Sequence, residues 1–176
     1  MWIKTIYNSI WAKKVHEICS KYPDMSGDSG VEGNLIKENY LMKIIPANKE
    51  KELAEYMIDV ASRANDQLFG FNIWYDIKAI QYTTYKSEQK MEYDWHADSV
   101  WYGKPVVQKL TAIICLTDEK DYEGGEFVIA GRKETRIKLT VGQAVVFPSP
   151  LQHKVTPVTK GTRNTLVAWF RGPRWM

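Results

Sequence analysis

Cysteine is nearly absent from this 176-residue chain, which holds only Cys19 and Cys115. Two lone cysteines far apart, with no CxxC pair, exclude a disulfide framework and a cysteine-ligated structural zinc site. Cys19 falls on the apolar stripe of a predicted helix and Cys115 inside an apolar, strand-like run, so both are expected to be buried free thiols in a reducing compartment. Long hydrophobic runs are missing too. The longest charge-free stretch, Leu139 to His153, is broken by Gly142, Pro148 and Pro150 and is too short to cross a bilayer. Met1 to Ile6 offers no long apolar segment ahead of a small-residue cleavage site, so no signal peptide is expected and the location is read as cytoplasmic. Charge of one sign is also lacking. Lys plus Arg total 24 against 21 Asp plus Glu, and a net charge of +3 spread along the chain gives no argument for nucleic acid. Histidine is scarcest after cysteine, with His16, His96 and His153 alone.

What is present is a globular composition, 44% hydrophobic and 26% charged. A chain of this size buries roughly two thirds of its unfolded surface and needs no staple to hold a core. It fits one domain over residues 1–176, with a helical N-terminal support at 1–68 and a β core at 69–176. In the first part, Ile10, Trp11, Val15, Ile18, Cys19 and Tyr22 recur at helical spacing behind Ser9 as N-cap, with Pro23 beyond the end. Residues 23–34 read as a loop. A second amphipathic helix is predicted over 48–67, with Leu53, Tyr56, Met57, Val60, Ala61 and Ala64 on one face.

From Phe69 the pattern changes to short runs of β-branched and aromatic residues between turn signals. Strands are predicted over 71–85, 106–116, 126–130, 135–139, 144–147, 153–157 and 165–170. Turns are predicted at residues 123–125, 131–133, 141–142, 148–150 and 160–161. This spacing, without intervening helices, indicates an antiparallel sandwich or barrel. With two helices packed on one sheet, the class is α+β and mostly β.

Tyr93-Asp94-Trp95-His96-Ala97-Asp98 holds an HxD pair. In an extended segment residues i and i+2 face the same side, so His96 and Asp98 can converge on one point. His153 opens a later strand, and two imidazoles with one carboxylate are the donor set of a facial Fe(II) triad. Alone, the HxD is better explained by a surface histidine beside a turn aspartate. His16, on the first helix without a ligand partner, reads as structural or exposed. Arg163 follows His153 by ten residues, and its guanidinium can take a carboxylate through two parallel hydrogen bonds where a lysine cannot.

Five segments in order carry a resemblance. Tyr93 to Asp98, Tyr122-Glu123-Gly124-Gly125-Glu126-Phe127, Gly142 to Ser149, His153 to Val158, and Gly161-Thr162-Arg163 follow one another as in the Fe(II)/2-oxoglutarate-dependent dioxygenases. The chain is most similar to the prolyl-4-hydroxylase-like branch, including bacterial and phage PKHD-type hydroxylases, over about residues 80 to 171. The resemblance implies a double-stranded β-helix (jelly-roll, cupin-like) core and iron held by His96, Asp98 and His153. It implies that Arg163 binds the distal carboxylate of 2-oxoglutarate, with Thr165 adding a hydroxyl and Tyr85 a further cosubstrate contact. Tyr85 and Tyr93 stand further apart than in that branch, and Lys86 to Glu92 contains no glycine, so Tyr82 competes with Tyr85 for the role. Gly124 and Gly125 are read as shaping the barrel. Trp101 and Tyr102, in a loop after Asp98, are candidate substrate contacts, whereas Trp95 is equally a core residue.

The implied reaction hydroxylates a C–H bond while 2-oxoglutarate and O2 yield succinate and CO2, with ascorbate as a reductant. A peptidyl residue such as proline in a peptide or protein partner is the first substrate expectation. The alternatives are an oxygenase of a nucleic-acid base or small molecule, or a noncatalytic metal- or ligand-binding jelly roll. Loops at 23–34 and 99–104 are expected to supply recognition.

Overall fold

The computed structural model describes residues 1–26, 38–101 and 103–175. In chain order its elements are β1 (Trp2–Thr5), α1 (Ser9–Ser20), β2 (Met25–Ser26), β3 (Glu38–Asn39), β4 (Leu41–Pro46), α2 (Lys51–Ala64), β5 (Ala79–Lys86), β6 (Glu92–His96), β7 (Val106–Cys115), β8 (Tyr122–Gly124), β9 (Phe127–Ile129), β10 (Thr135–Ile137), β11 (Gln143–Pro148), β12 (His153–Val155) and β13 (Val158–Pro173). Two antiparallel sheets face each other. The larger runs β1-β11-β7-β13-β5-β4-β2, with β8 also paired to β13, and the smaller runs β10-β9-β12-β6-β3. This is the jelly-roll arrangement.

Both helices pack on the outer face of the larger sheet. The Asn8 side chain accepts the Trp11 N–H at 3.0 Å and so caps α1, one residue ahead of the predicted Ser9. α1 buries Ala12, Val15 and Cys19, and α2 buries Leu53, Met57, Val60, Ala61 and Ala64 at helical spacing. α2 begins later than residue 48 because Lys49 and Glu50 donate to the Pro46 carbonyl in a turn. It ends in a π-helical turn, Asn65–Phe69. Met57 is fully buried, and truncating such a side chain to alanine costs about 2–5 kcal/mol. Among the described residues no helix is long and apolar enough to cross a membrane.

Strand alternation divides the larger sheet into two faces. Ile80 and Tyr82 on β5, Leu110, Ala112 and Ile114 on β7, and Leu166, Ala168 and Phe170 on β13 meet the helices. Their alternates Gln81, Thr83 and Tyr85, Thr111 and Ile113, and Arg163, Thr165, Val167 and Trp169 turn inward and line a cavity between the sheets. Beside it, Ile113, Phe127, Ile129, Val145 and Phe147 form an apolar plug.

The first 68 residues do more than provide helices. β1 extends the larger sheet beyond β11, and β4 joins it beside β5. Residues 71–78 do not pair as a strand, and β5 starts at Ala79. Lys160-Gly161, predicted to be a turn, lies inside the 16-residue β13. There the glycine (φ +69°) is needed for close approach, since a Cβ would lie 2.0 Å from the Asp121 carbonyl oxygen.

Candidate active site

His96 closes β6 and His153 opens β12, and the two are register partners across the antiparallel pair. Their ring centroids stand 4.2 Å apart. Each ring is oriented by its Nδ1, which meets a carbonyl two residues earlier in the chain. His96 bonds the Asp94 oxygen at 2.7 Å and His153 the Leu151 oxygen at 2.9 Å. Nδ1 is therefore the donor in each ring, and Nε2 carries the lone pair. Both Nε2 atoms turn to Asp98. His96 Nε2 lies 3.7 Å from Oδ1 and His153 Nε2 lies 3.6 Å from Oδ2.

All three groups are largely buried, and one donor atom from each falls within 4.8 Å of the others. Burial, aided by the neighbouring His153, lowers the His96 pKa to about 4, so its imidazole is neutral at pH 7 and free to act as a ligand. Two imidazoles and a carboxylate fit Fe(II), and no cysteine joins them to make a structural zinc site. The Tyr93 ring stacks on His96, 3.5 Å between centroids and 8° from parallel.

Asp98 is held from behind. The Thr111 hydroxyl donates to Asp98 Oδ2 at 2.6 Å, and Ser149 Oγ lies 2.9 Å from Thr111 Oγ1. The Asp98 N–H donates to the Ser149 carbonyl at 3.0 Å. Motif reading from sequence missed Thr111 and Ser149, because only the pairing of β7 with β11 brings them together.

The cavity, about 200 Å³, carries these groups together with Arg163. Arg163 is 1% exposed, and its Nε and Nη2 are buried without a hydrogen-bond partner among the described residues. A buried guanidinium with open donors is costly unless an anion meets it. Thr165, on the same strand face, is also buried and lines the cavity. Gly125 makes room for the arginine, since a Cβ there (φ +59°) would lie 2.9 Å from Arg163 Cδ. This glycine therefore shapes the barrel beside Arg163.

The two tyrosines separate by strand parity. Tyr85 faces the cavity beside Arg163, whereas Tyr82 faces α1 and meets His16 Nδ1 at 2.9 Å. His16 thus takes the structural place read for it. Trp101 stands outside the cavity, 41% exposed, with its ring 5.2 Å from that of Trp175. Trp95 is half-buried under the Lys154 ammonium. Tyr102 and most of the 23–34 loop lie outside the described residues. Period-two alternation from Arg163 and Tyr85 would have found Val167, Trp169, Thr83 and Gln81, which share the cavity wall.

A family model described as the 2OG-Fe(II) oxygenase superfamily matches residues 80–171. A PKHD-type hydroxylase of Gloeothece citriformis is 28% identical over 180 residues, covering 96% of this chain and 76% of the relative. A PKHD-type hydroxylase of Alteromonas mediterranea is 36% identical over 89 residues, covering 47% of this chain and only 39% of the relative. A prolyl hydroxylase from Trichoplax adhaerens, solved with a hypoxia inducible factor oxygen degradation domain peptide fragment, superposes with a TM-score of 0.73. That match is 17% identical and covers 96% of this chain and 82% of the other.

Proposed function

The chain belongs to the 2OG-Fe(II) oxygenase superfamily, and from that premise we propose that it hydroxylates a C–H bond of a peptidyl residue, proline first among them. It is a dioxygenase that uses Fe(II), 2-oxoglutarate and O2. The observation that carries the reading of its site is a cavity with one donor triad and a buried guanidinium whose Nε and Nη2 have no hydrogen-bond partner among the described residues. Such a space suits a dicarboxylate that must be bound at both ends.

In this reading His96, Asp98 and His153 hold the iron. Bound Fe(II), with 2-oxoglutarate and O2, supplies the oxidising power that turns C–H into C–OH while the cosubstrate becomes succinate and CO2. The protein's part is orientation and exclusion of water. The Asp94 and Leu151 carbonyls hold the two imidazoles with Nε2 presented. Arg163 takes the distal carboxylate through paired N–H donors, with Thr165 and Tyr85 beside it. Ile113, Phe127 and Val167 supply apolar wall that keeps water out.

A peptidyl substrate is supported by the PKHD-type relatives and by the neighbour solved with a peptide. It is also supported by the shape of the site. Gln81 and Trp169 line both this cavity and an adjoining groove of about 230 Å³ bounded by Ile44, Gln108 and Arg171. Trp169 Nε1 is buried without a hydrogen-bond partner among the described residues, leaving a donor suited to a backbone carbonyl. A reducing, cytoplasmic setting belongs to the same proposal and is supported by two buried free thiols.

Anaerobic titration with Fe(II) and 2-oxoglutarate should develop the visible charge-transfer band of the chelate, and His96→Ala should abolish it. Succinate release with iron and ascorbate should then rise when proline-containing peptides are added. Turnover with oligonucleotides and silence with peptides would overturn the peptide reading.

A further inference from the structure

We infer that Thr111 and Ser149 are positioning residues that set metal affinity through Asp98, a two-hydroxyl relay added to the triad. The inference rests on the proposed role of Asp98 as an iron ligand.

The direction of the relay follows from proton counting. A hydroxyl has one proton to give. Thr111 Oγ1 stands 2.6 Å from Asp98 Oδ2, the range of a hydroxyl donating to a carboxylate. Its proton is thereby committed, so at 2.9 Å Ser149 must be the donor and Thr111 the acceptor. The chain reads Ser149 O–H to Thr111 O–H to Asp98 Oδ2. Both hydroxyl residues are almost completely buried, and water does not compete for these bonds.

The backbone fixes the far end. Ser149 N–H donates to the Lys109 carbonyl and the Ser149 carbonyl accepts the Asp98 N–H, each at 3.0 Å. Ser149 therefore ties β7 to the segment that follows β6, and its hydroxyl has little freedom to turn away. The relay engages one oxygen of the carboxylate. Oδ1, 3.7 Å from His96 Nε2, has no protein donor among the described residues and is the oxygen left for a cation. Without the relay the carboxylate would rotate about its terminal bond, a soft torsion. The site would then pay ordering entropy whenever metal binds.

Valine replaces Thr111 with nearly the same shape and removes only the hydroxyl. In calorimetric titration of the metal-free protein with Mn(II), without 2-oxoglutarate, Thr111→Val should weaken binding about tenfold, as lost support behind a metal ligand typically does. Thr111→Ser should restore parental affinity. Ser149→Ala should weaken binding in the same direction, and the double variant should be no weaker than Thr111→Val, because Ser149 acts through Thr111. The KM for 2-oxoglutarate at saturating metal should stay at the parental value in Ser149→Ala, whose side chain does not line the cavity, whereas general damage to the fold would raise it. Parental Mn(II) affinity in Thr111→Val, or failure of Thr111→Ser to restore it, would overturn the relay. A parent protein that binds no Mn(II), or a His96→Ala variant that binds it normally, would instead overturn the iron-site reading and the relay with it.

Discussion

Arg163 and Tyr85 are register partners on β13 and β5, and the guanidinium carbon lies 5.5 Å from the centroid of the tyrosine ring. The ring face is the negative end of an aromatic quadrupole, so it steadies the cation without taking its N–H donors. Those donors remain for a carboxylate. Replacing Arg163 with lysine keeps the charge and loses the planar fork. The KM for 2-oxoglutarate should rise roughly tenfold or more, the equivalent of about 1.5–3 kcal/mol of charge-assisted hydrogen bonding. Steady-state succinate assays against cosubstrate concentration check this, and an unchanged KM would remove Arg163 from the anchor role.

Tyr82 and Tyr85 should separate cleanly by assay. Tyr82→Phe breaks the 2.9 Å bond to His16 on the helix side, and should lower stability by about 0.5–1.5 kcal/mol without altering cosubstrate affinity. Tyr85→Leu removes the ring beside Arg163 and should raise the 2-oxoglutarate KM several-fold. Denaturant melts and cosubstrate titrations on both variants decide it, and the reverse pattern would exchange their roles.

Gly125→Ala should damage the anchor and the fold together. The new Cβ meets Arg163 Cδ and Val158 Cγ2, each at 2.9 Å, on a backbone with φ +59°. Gly70→Ala is the control, with φ +62° and nothing within 4 Å. Both should lose about 1–3 kcal/mol from the left-handed backbone, and only Gly125→Ala should also weaken 2-oxoglutarate binding. Thermal melts beside binding titrations read the two effects.

The metal-free protein should lose stability in acid below about pH 6.5. Burial lowers the folded-state pKa of His96 to about 4 and lowers that of His16 as well, against an unfolded value near 6.5. The unfolded chain then binds more protons between those limits, so stability is fully present above pH 6.5 and falls as the pH drops towards 4. Melting temperatures recorded from pH 8 to pH 5 should trace this decline, and His96→Gln should flatten part of it. A flat parental profile would contradict the burial argument.

The chemistry of the site was legible in the sequence because it depends on residue type at short spacing. His96 and Asp98 stand two apart where β6 gives way to a bend, and Arg163 and Thr165, two apart on a later strand, need only period-two alternation to share a face. The same parity, applied one step further, separates Tyr85 from Tyr82. What escaped depends on partners distant in the chain. Trp2–Thr5 is too short to declare itself, and becomes a strand because the edge of β11 pairs it. Thr111 and Ser149 look ordinary until β7 and β11 lie side by side. Gly161 reads as a turn residue, yet β13 runs straight through it because the close neighbour is the Asp121 backbone. Local chemistry wrote the first group of features, and tertiary contact wrote the second.

The unbroken length of β13 gives the enzyme a ruler. Arg163, Thr165, Val167 and Trp169 are successive inward marks on one strand, at roughly 6.6 Å per pair of residues. Arg163, proposed to take the distal carboxylate, and the aromatic wall next to the outer groove are graduations on the same scale. Neither can be moved without moving the other, because a one-residue slip would turn every mark to the helix side. The spacing between Arg163 and Trp169 is therefore fixed by backbone geometry.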